Sequence, residues 1–181
     1  MMPLKGGKWA TGKGATESAY KWAQSFEDKF TIGENDDWKE IRKSDMYFGY
    51  CRSRLMALYG SRHDDTTFPV YNAIADYAAV HPAPAGSSGW FLPGVNELAT
   101  LCFGAPDNFT ASESPYYFEH LKMLKEIINP QIAMASGNEL IGEYWSSNES
   151  GTVAWRVNLA PPGYNTKPKA DTYKVRAVLA F

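Results

Sequence analysis

Thr152-Val153-Ala154-Trp155-Arg156-Val157-Asn158-Leu159 alternates along its length, with Val153, Trp155, Val157 and Leu159 falling on one side. That period of two is the mark of a half-buried strand. Upstream, Tyr144-Trp145-Ser146-Ser147 reads as another strand. Downstream, Lys174 to Phe181 reads as the last one, with Val175, Ala177, Leu179 and Phe181 sharing a face. Between them lies Ala160 to Thr172, which holds three Pro, one Gly and many small polar residues. It reads as a long irregular segment. Such segments inside a compact domain are usually functional or disordered, and the flanking strands argue against disorder.

Upstream of Gly142 the period changes. Ala15, Ala19, Trp22, Phe26 and Phe30 step by three and four and line one helix face. Thr31 to Asp37 reads as a loop. A second helical stretch runs from about Met46 to Tyr59 and stops at Gly60. Pro69 opens a third, with Val70, Ile74, Tyr77 and Ala78 inward. After the Pro/Gly connector His81–Gly86 comes a short strand-like run, Trp90-Phe91-Leu92, then a short helix carrying Val95, Leu98 and Leu101. Ala105 to Ser114 reads as a polar loop. A further helix starts at Pro115, with Tyr117, Phe118, Leu121, Leu124 and Ile128 inward, and Pro130 ends it. Helices first and strands last predict an α+β domain. Residues 1–13, rich in Gly and Lys, read as a flexible lead-in to a single domain over 14–181.

Composition narrows the function. The 181 residues carry a net charge of −2 and no basic stripe, so no nucleic-acid partner is expected. No run of apolar residues is long enough to span a membrane. Met1 to Lys8 lacks the apolar core of a signal peptide. The two cysteines, Cys51 and Cys102, have no zinc-type spacing and read as buried free thiols. His63, Asp64 and Asp65 lack further carboxylates at ligand spacing, so they read as a solvated loop. No Gly-x-Ser-x-Gly elbow, HExxH or phosphate loop is present. No metal and no cofactor is expected.

Gly89-Trp90-Phe91-Leu92-Pro93 followed by Asn96-Glu97-Leu98 resembles the "GW-x-LP-x-x-x-EL" signature of a bacterial domain family. Tyr144-Trp145-Ser146-Ser147-x-Glu149 resembles its "YWSS-x-E" motif. Ala154-Trp155-x-Val157, Gly163, Lys169 and Val175 to Phe181 complete the order over roughly Asp45 to Phe181. The family includes the C-terminal domain of the Legionella collagen-like adhesin. The resemblance implies a C-type-lectin-like fold of the formylglycine-generating type, with helices packed on small antiparallel sheets and long loops. It also implies kinship with the variable proteins of diversity-generating retroelements in Bacteroidales and their phages. In those, adenine-directed mutagenesis varies surface positions near the C-terminus.

One feature of the chain fits that layout. Between Asn148 and Tyr173, most positions outside the framework hold residues that an AAC or AAT codon reaches by adenine change. They are Asn148, Ser150, Gly151, Thr152, Arg156, Asn158, Ala160, Pro161, Tyr164, Asn165, Thr166, Ala170, Asp171 and Tyr173. Lys167 falls outside the set. Tyr, Arg, Asn, Ser and Gly also make up the surfaces that bind by contact area at low rotamer cost. The expectation is a non-enzymatic adhesin or receptor-binding module that presents these positions to an external protein or glycan. It would act outside the cell, at a cell surface or on a phage virion, with a homo-oligomer left open. Trp90, Trp145 and Trp155 are expected in the core. The alternative is a structural or tip module of an appendage or phage particle. A formylglycine-type oxidase would need two neighbouring thiols, and neither Cys51 nor Cys102 lies in the C-terminal third.

Overall fold

A computed structural model of the chain describes residues 4–19, 49–104 and 117–181. Strand β1 (Leu4–Lys8) leads into a 3-10 turn at Gly12–Ala15. Helices α1 (Gly49–Arg62), α2 (Pro69–Val80) and α3 (Val95–Phe103) follow. Next come α4 (Tyr117–Lys122), a π-helical stretch Met123–Ile128 and α5 (Asn129–Met134). Strands β2 (Glu143–Ser150), β3 (Val153–Leu159), β4 (Pro162–Pro168) and β5 (Thr172–Val175) close the chain. Among the described residues the architecture is α+β, with one five-stranded mixed sheet ordered β1-β5-β2-β3-β4. Only the β2–β5 pairing is parallel.

Alternation along β2 and β3 sends neighbouring residues to opposite faces, and each face has its own core. Trp145 and Ala154 join Trp9, Met56, Tyr59, Phe68, Ile74, Leu92 and Val175 beneath α1 and α2. Tyr144, Val157 and Leu159 join Val95, Leu98, Cys102, Phe103, Leu124 and Leu140 beneath α3. The start of α3 is tied to the sheet by polar groups. Glu97 Oε2 accepts from the Gly94 and Gly49 amides, 2.6 and 3.0 Å. Asn148 Oδ1 accepts from the Val95 amide, 2.9 Å. The Ser147 amide donates to Pro93 O, 2.8 Å. The Trp90–Leu98 and Tyr144–Glu149 stretches are therefore one joint.

Several expectations change. Residues 4–8, expected as part of a flexible lead-in, pair as β1 with β5. Trp9 behind them is fully buried, and its indole donates to Ser146 O, 2.8 Å. A large buried aromatic with its N–H satisfied anchors that segment. Ala160 to Thr172, expected as irregular, contains β4, paired with β3 in unbroken register from Val153↔Pro168 to Leu159↔Pro162. Its Pro162 and Pro168 are tolerated because β4 is an edge strand, where a missing N–H removes no needed ladder bond. The last strand is shorter than expected. β5 ends at Val175, and beyond it Val178 makes an isolated bridge with Phe91. Pro130 sits in the first turn of α5 and ends no helix. The Asn129 amide reaches back to Leu124 O, and this wider π turn absorbs the proline. The expected helix face at Trp22, Phe26 and Phe30, the loops 31–37 and 105–114, and the start of the helix at Pro115 lie outside the described residues.

Candidate ligand-binding face

The β3–β4 hairpin fixes where each candidate points. The register pairs Arg156 with Asn165 and Asn158 with Gly163, and residues opposite each other share a face. Ala154 with Lys167 lies on that same face. Trp155 with Thr166 and Val157 with Tyr164 lie on the other. On β2, Trp145 pairs with Arg156 and Glu143 with Asn158. The first face therefore gathers Glu143, Arg156, Asn158, Asn165 and Lys167.

Arg156 sits at its centre. The residue is only 9% exposed. Its Nη1 pairs with Glu143 Oε1, and its guanidinium carbon lies 5.1 Å from the centroid of the Tyr173 ring. Tyr173 in turn meets Trp145 edge-on, centroids 4.7 Å apart. Trp145 is locked by its own indole N–H, which donates to Gly7 O at 3.0 Å. A column of side chains thus runs from the buried framework up to the guanidinium. Beside it opens a shallow cleft of about 220 Å³, lined by Arg156, Asn158, Pro161, Pro162, Gly163, Tyr164 and Asn165.

Arg156, Asn158, Asn165 and Tyr173 come together on this face. Pro161 and Tyr164 contribute to the cleft wall. Tyr164 is 40% exposed and tilts its ring against Trp155, centroids 5.6 Å apart. Thr166 is exposed beside that pair. Ala160 is exposed at the β3–β4 turn. Ser150, Gly151 and Thr152 form the β2–β3 turn, and Ala170 and Asp171 the turn before β5, away from the cleft. Asn148 is a correction. It is 2% exposed, and its side chain holds the start of α3, so it belongs to the framework and not to an open surface.

Trp155 and Trp90 are half-buried and pack at the margins of the two cores, whereas Trp145 is sealed. Two residues of the face were not among the candidates. Glu143 lies just before the Tyr144 motif, and the register with Asn158 alone reveals it. Lys167 was set aside on codon grounds. Among the described residues, no group of three or more His, Cys, Asp or Glu could hold a metal ion. Neither Cys51 nor Cys102 is in a disulfide, and Cys102 is the more deeply buried of the two. Burial pushes the Cys102 thiol up to about 12, with Arg176 opposing. No described helix is long and apolar enough to cross a membrane.

No protein-family model matches this sequence, and no curated protein matches it. A solved structure of a fimbrial protein from Bacteroides ovatus ATCC 8483 is similar, with a TM-score of 0.67 and 21% identity over 98% of this chain. That match covers 35% of the fimbrial protein, so the chain spans about a third of its length. At this identity the likeness is one of fold: the chain shares its architecture with part of a Bacteroides fimbrial protein.

Proposed function

We propose that the chain is a non-enzymatic ligand-binding module of a surface or appendage protein, built on a C-type-lectin-like fold, with the face around Arg156 as its contact surface. The observation that carries this reading is the convergence of Arg156, Asn158, Asn165 and Tyr173 on one open face of a hairpin whose backbone is fixed by seven register pairs. A rigid scaffold with outward polar and aromatic side chains binds with little ordering cost. The motif residues support the lectin-like assignment. Leu92, Glu97, Trp145, Ser147 and Glu149 all serve packing, capping or buried polar contacts of the framework. Diversification of the C-terminal positions by a retroelement is part of the same reading. The fimbrial neighbour supports a place at the cell surface. The ligand is an external protein or glycan.

The test is a protein and glycan array probed with the wild-type chain and with Asn158→Ala/Asn165→Ala. The wild type binds a ligand, and the variant loses at least tenfold in affinity with an unchanged melting temperature. Equal binding by both would remove this face from the function. Diversification is tested in the neighbouring DNA: a reverse transcriptase and a near-copy of the C-terminal coding segment are the expected finding, and their absence would remove this part of the reading.

One observation favours the structural alternative. An apolar groove of about 400 Å³ opens between Trp90, Leu101, Ile132 and Leu179, with Met134 and Phe181 exposed as well. A structural module would self-associate or polymerise through it, which light scattering reads directly.

A further inference from the structure

We infer that the open edge of the chain at Leu179 takes an extended apolar segment of another protein as an added strand. This goes beyond the face around Arg156 and does not depend on it. Past β5, Val178 exchanges two main-chain hydrogen bonds with Phe91, 2.9 and 3.0 Å. Ala180 O accepts from the Ser88 amide, 2.8 Å, and the Ala180 amide donates to Ser88 Oγ, 3.0 Å. Alternate residues of a strand aim their main-chain groups to opposite sides, so Ala177 and Leu179 aim theirs away from Phe91. That is the side of β1, where an added Cβ on Gly6 would lie 3.0 Å from Tyr173 O. β1 covers this edge from Lys8 opposite Thr172 to Leu4 opposite Val175. Beyond Val175, no described main-chain group pairs with Ala177 or Leu179. Ala177 is sealed, but Leu179 is half-buried, so the reachable pair is the N–H and C=O of Leu179.

The same edge borders the apolar groove of about 400 Å³, whose walls are Leu101 and Ile132 on one side and Arg176 to Leu179 on the other. Its only charged lining residue is Arg176, which is buried and donates to Asn138 O, 2.8 Å. An uncharged groove calls for an uncharged, apolar occupant. The open main chain decides its form. A helix meets its own main-chain bonds and would cover the Leu179 groups without pairing them, at the full cost of their desolvation. An extended chain supplies both partners and sends alternate side chains into the groove. The far edge of the sheet is guarded, since β4 begins and ends in proline and carries Lys167. Val175 to Phe181 holds neither proline nor acid, and Phe181 is 89% exposed. A second copy of the chain does not fit. Its β1 and β4 lack apolar alternation, and the groove-side residues of its own open edge, Arg176 and Val178, already line its own groove.

The test is amide hydrogen exchange and NMR titration of the ¹⁵N-labelled full chain with acetyl-Lys-Thr-Val-Thr-Val-Thr-Val-Lys-amide. Two controls accompany it: the same peptide N-methylated at every residue between the lysines, and a helix-forming Ala/Leu/Lys peptide of equal length. The strand peptide is expected to slow exchange of the Leu179 amide at least tenfold and to shift the Leu101 and Ile132 amides. Both controls should bind at least tenfold more weakly. Leu179→Pro removes the donor, and Leu101→Lys brings a charge to the groove from a position that is 36% exposed. Each should weaken binding tenfold or more. Leu101→Lys, with an unchanged melting temperature, keeps the test valid if Leu179→Pro unfolds. Equal binding of the N-methylated peptide would overturn the strand pairing. Tighter binding of the helical peptide would make this a helix groove and overturn it as well. Slow exchange at Leu179 before any peptide is added would mean that the edge is already filled, by chain ahead of Leu4 or, where light scattering finds a dimer, by a second copy. Either result overturns the inference, as does absence of binding by the strand peptide. None of these outcomes touches the face around Arg156.

Discussion

Lys169 Nζ lies 2.8 Å from Glu149 Oε2, with both side chains sealed from solvent. The ammonium also donates to Gly14 O and Glu17 O, 2.9 and 2.8 Å, and sits 4.7 Å from the centroid of the Trp9 ring. Ser18 Oγ donates to the other Glu149 oxygen, 2.6 Å. The pair thereby joins β2, the loop after β4 and the N-terminal segment. Burial holds the Lys169 ammonium below the usual lysine range, and Glu149 opposes that shift.

Breaking this pair on one side strands a buried charge. Lys169→Met and Glu149→Gln are each expected to cost about 3–5 kcal/mol in urea unfolding. Lys169→Met/Glu149→Leu should cost much less than their sum, because neither ion is then left alone. Protease cleavage within residues 4–19 should rise in the single variants, since Gly14 and Glu17 lose their tie. Additive costs with no new cleavage would mean that the pair is not the anchor.

The tryptophans separate by depth. Trp145→Ala is expected to cost about 3–5 kcal/mol, as for a fully buried aromatic. Trp155 is half-buried, and its removal should cost about 1–2 kcal/mol. Thermal unfolding of the two variants side by side checks the order.

The candidate face divides in the same way. Tyr164→Ala should lower stability by about 1 kcal/mol or less. Arg156→Ala should cost about 1–3 kcal/mol, because it unpairs Glu143 and uncovers Tyr173. Urea unfolding of the two single variants gives both figures. In the sequence both read as positions presented to a ligand, and burial of Arg156 is what separates them.

Cys102 makes stability fall at alkaline pH. Its thiol ionises near 9 when unfolded but only at about 12 when folded. A group whose folded pKa is raised stabilises fully below its unfolded value and loses that contribution as pH rises through the window. Between pH 9 and 12 the loss approaches about 1.4 kcal/mol per unit from this group. The difference in unfolding free energy between wild type and Cys102→Ala should shrink across that range. The native thiol should resist Ellman's reagent at pH 8.

Gly12 has a φ of +58° and packs on the Asp65 carbonyl, where an added Cβ would overlap backbone atoms. Gly12→Ala should cost at least about 1–3 kcal/mol and free the N-terminal segment. Faster amide hydrogen exchange at Trp9 and Thr11 would report the release.

Much of this was legible in the chain. The alternation from Val153 to Leu159 and the period of Val70, Ile74 and Tyr77 identify β3 and α2, because each pattern answers to one local geometry. The burial of Trp145 and the capping role of Glu97 lie within the quoted motifs. Less legible were β1 and β4. Leu4 to Lys8 and Pro162 to Pro168 have weak strand character of their own, and they become strands because β5 and β3 offer partners. The candidate surface was half legible: Asn158 and Asn165 lie on the open face, but nothing local marks Asn148 as a buried cap.

The sequence by itself determined the elements whose periods are strong, and the polar and aromatic character of the tail. Only the tertiary structure decided which polar side chains are interior. Lys169, Asn148 and Arg156 look like solvated residues in the chain, and each is buried because its partner lies far away in sequence or on a neighbouring strand. Hydrophobic periodicity is a property of neighbours along the chain. The satisfaction of a buried charge depends on groups that only folding brings within reach.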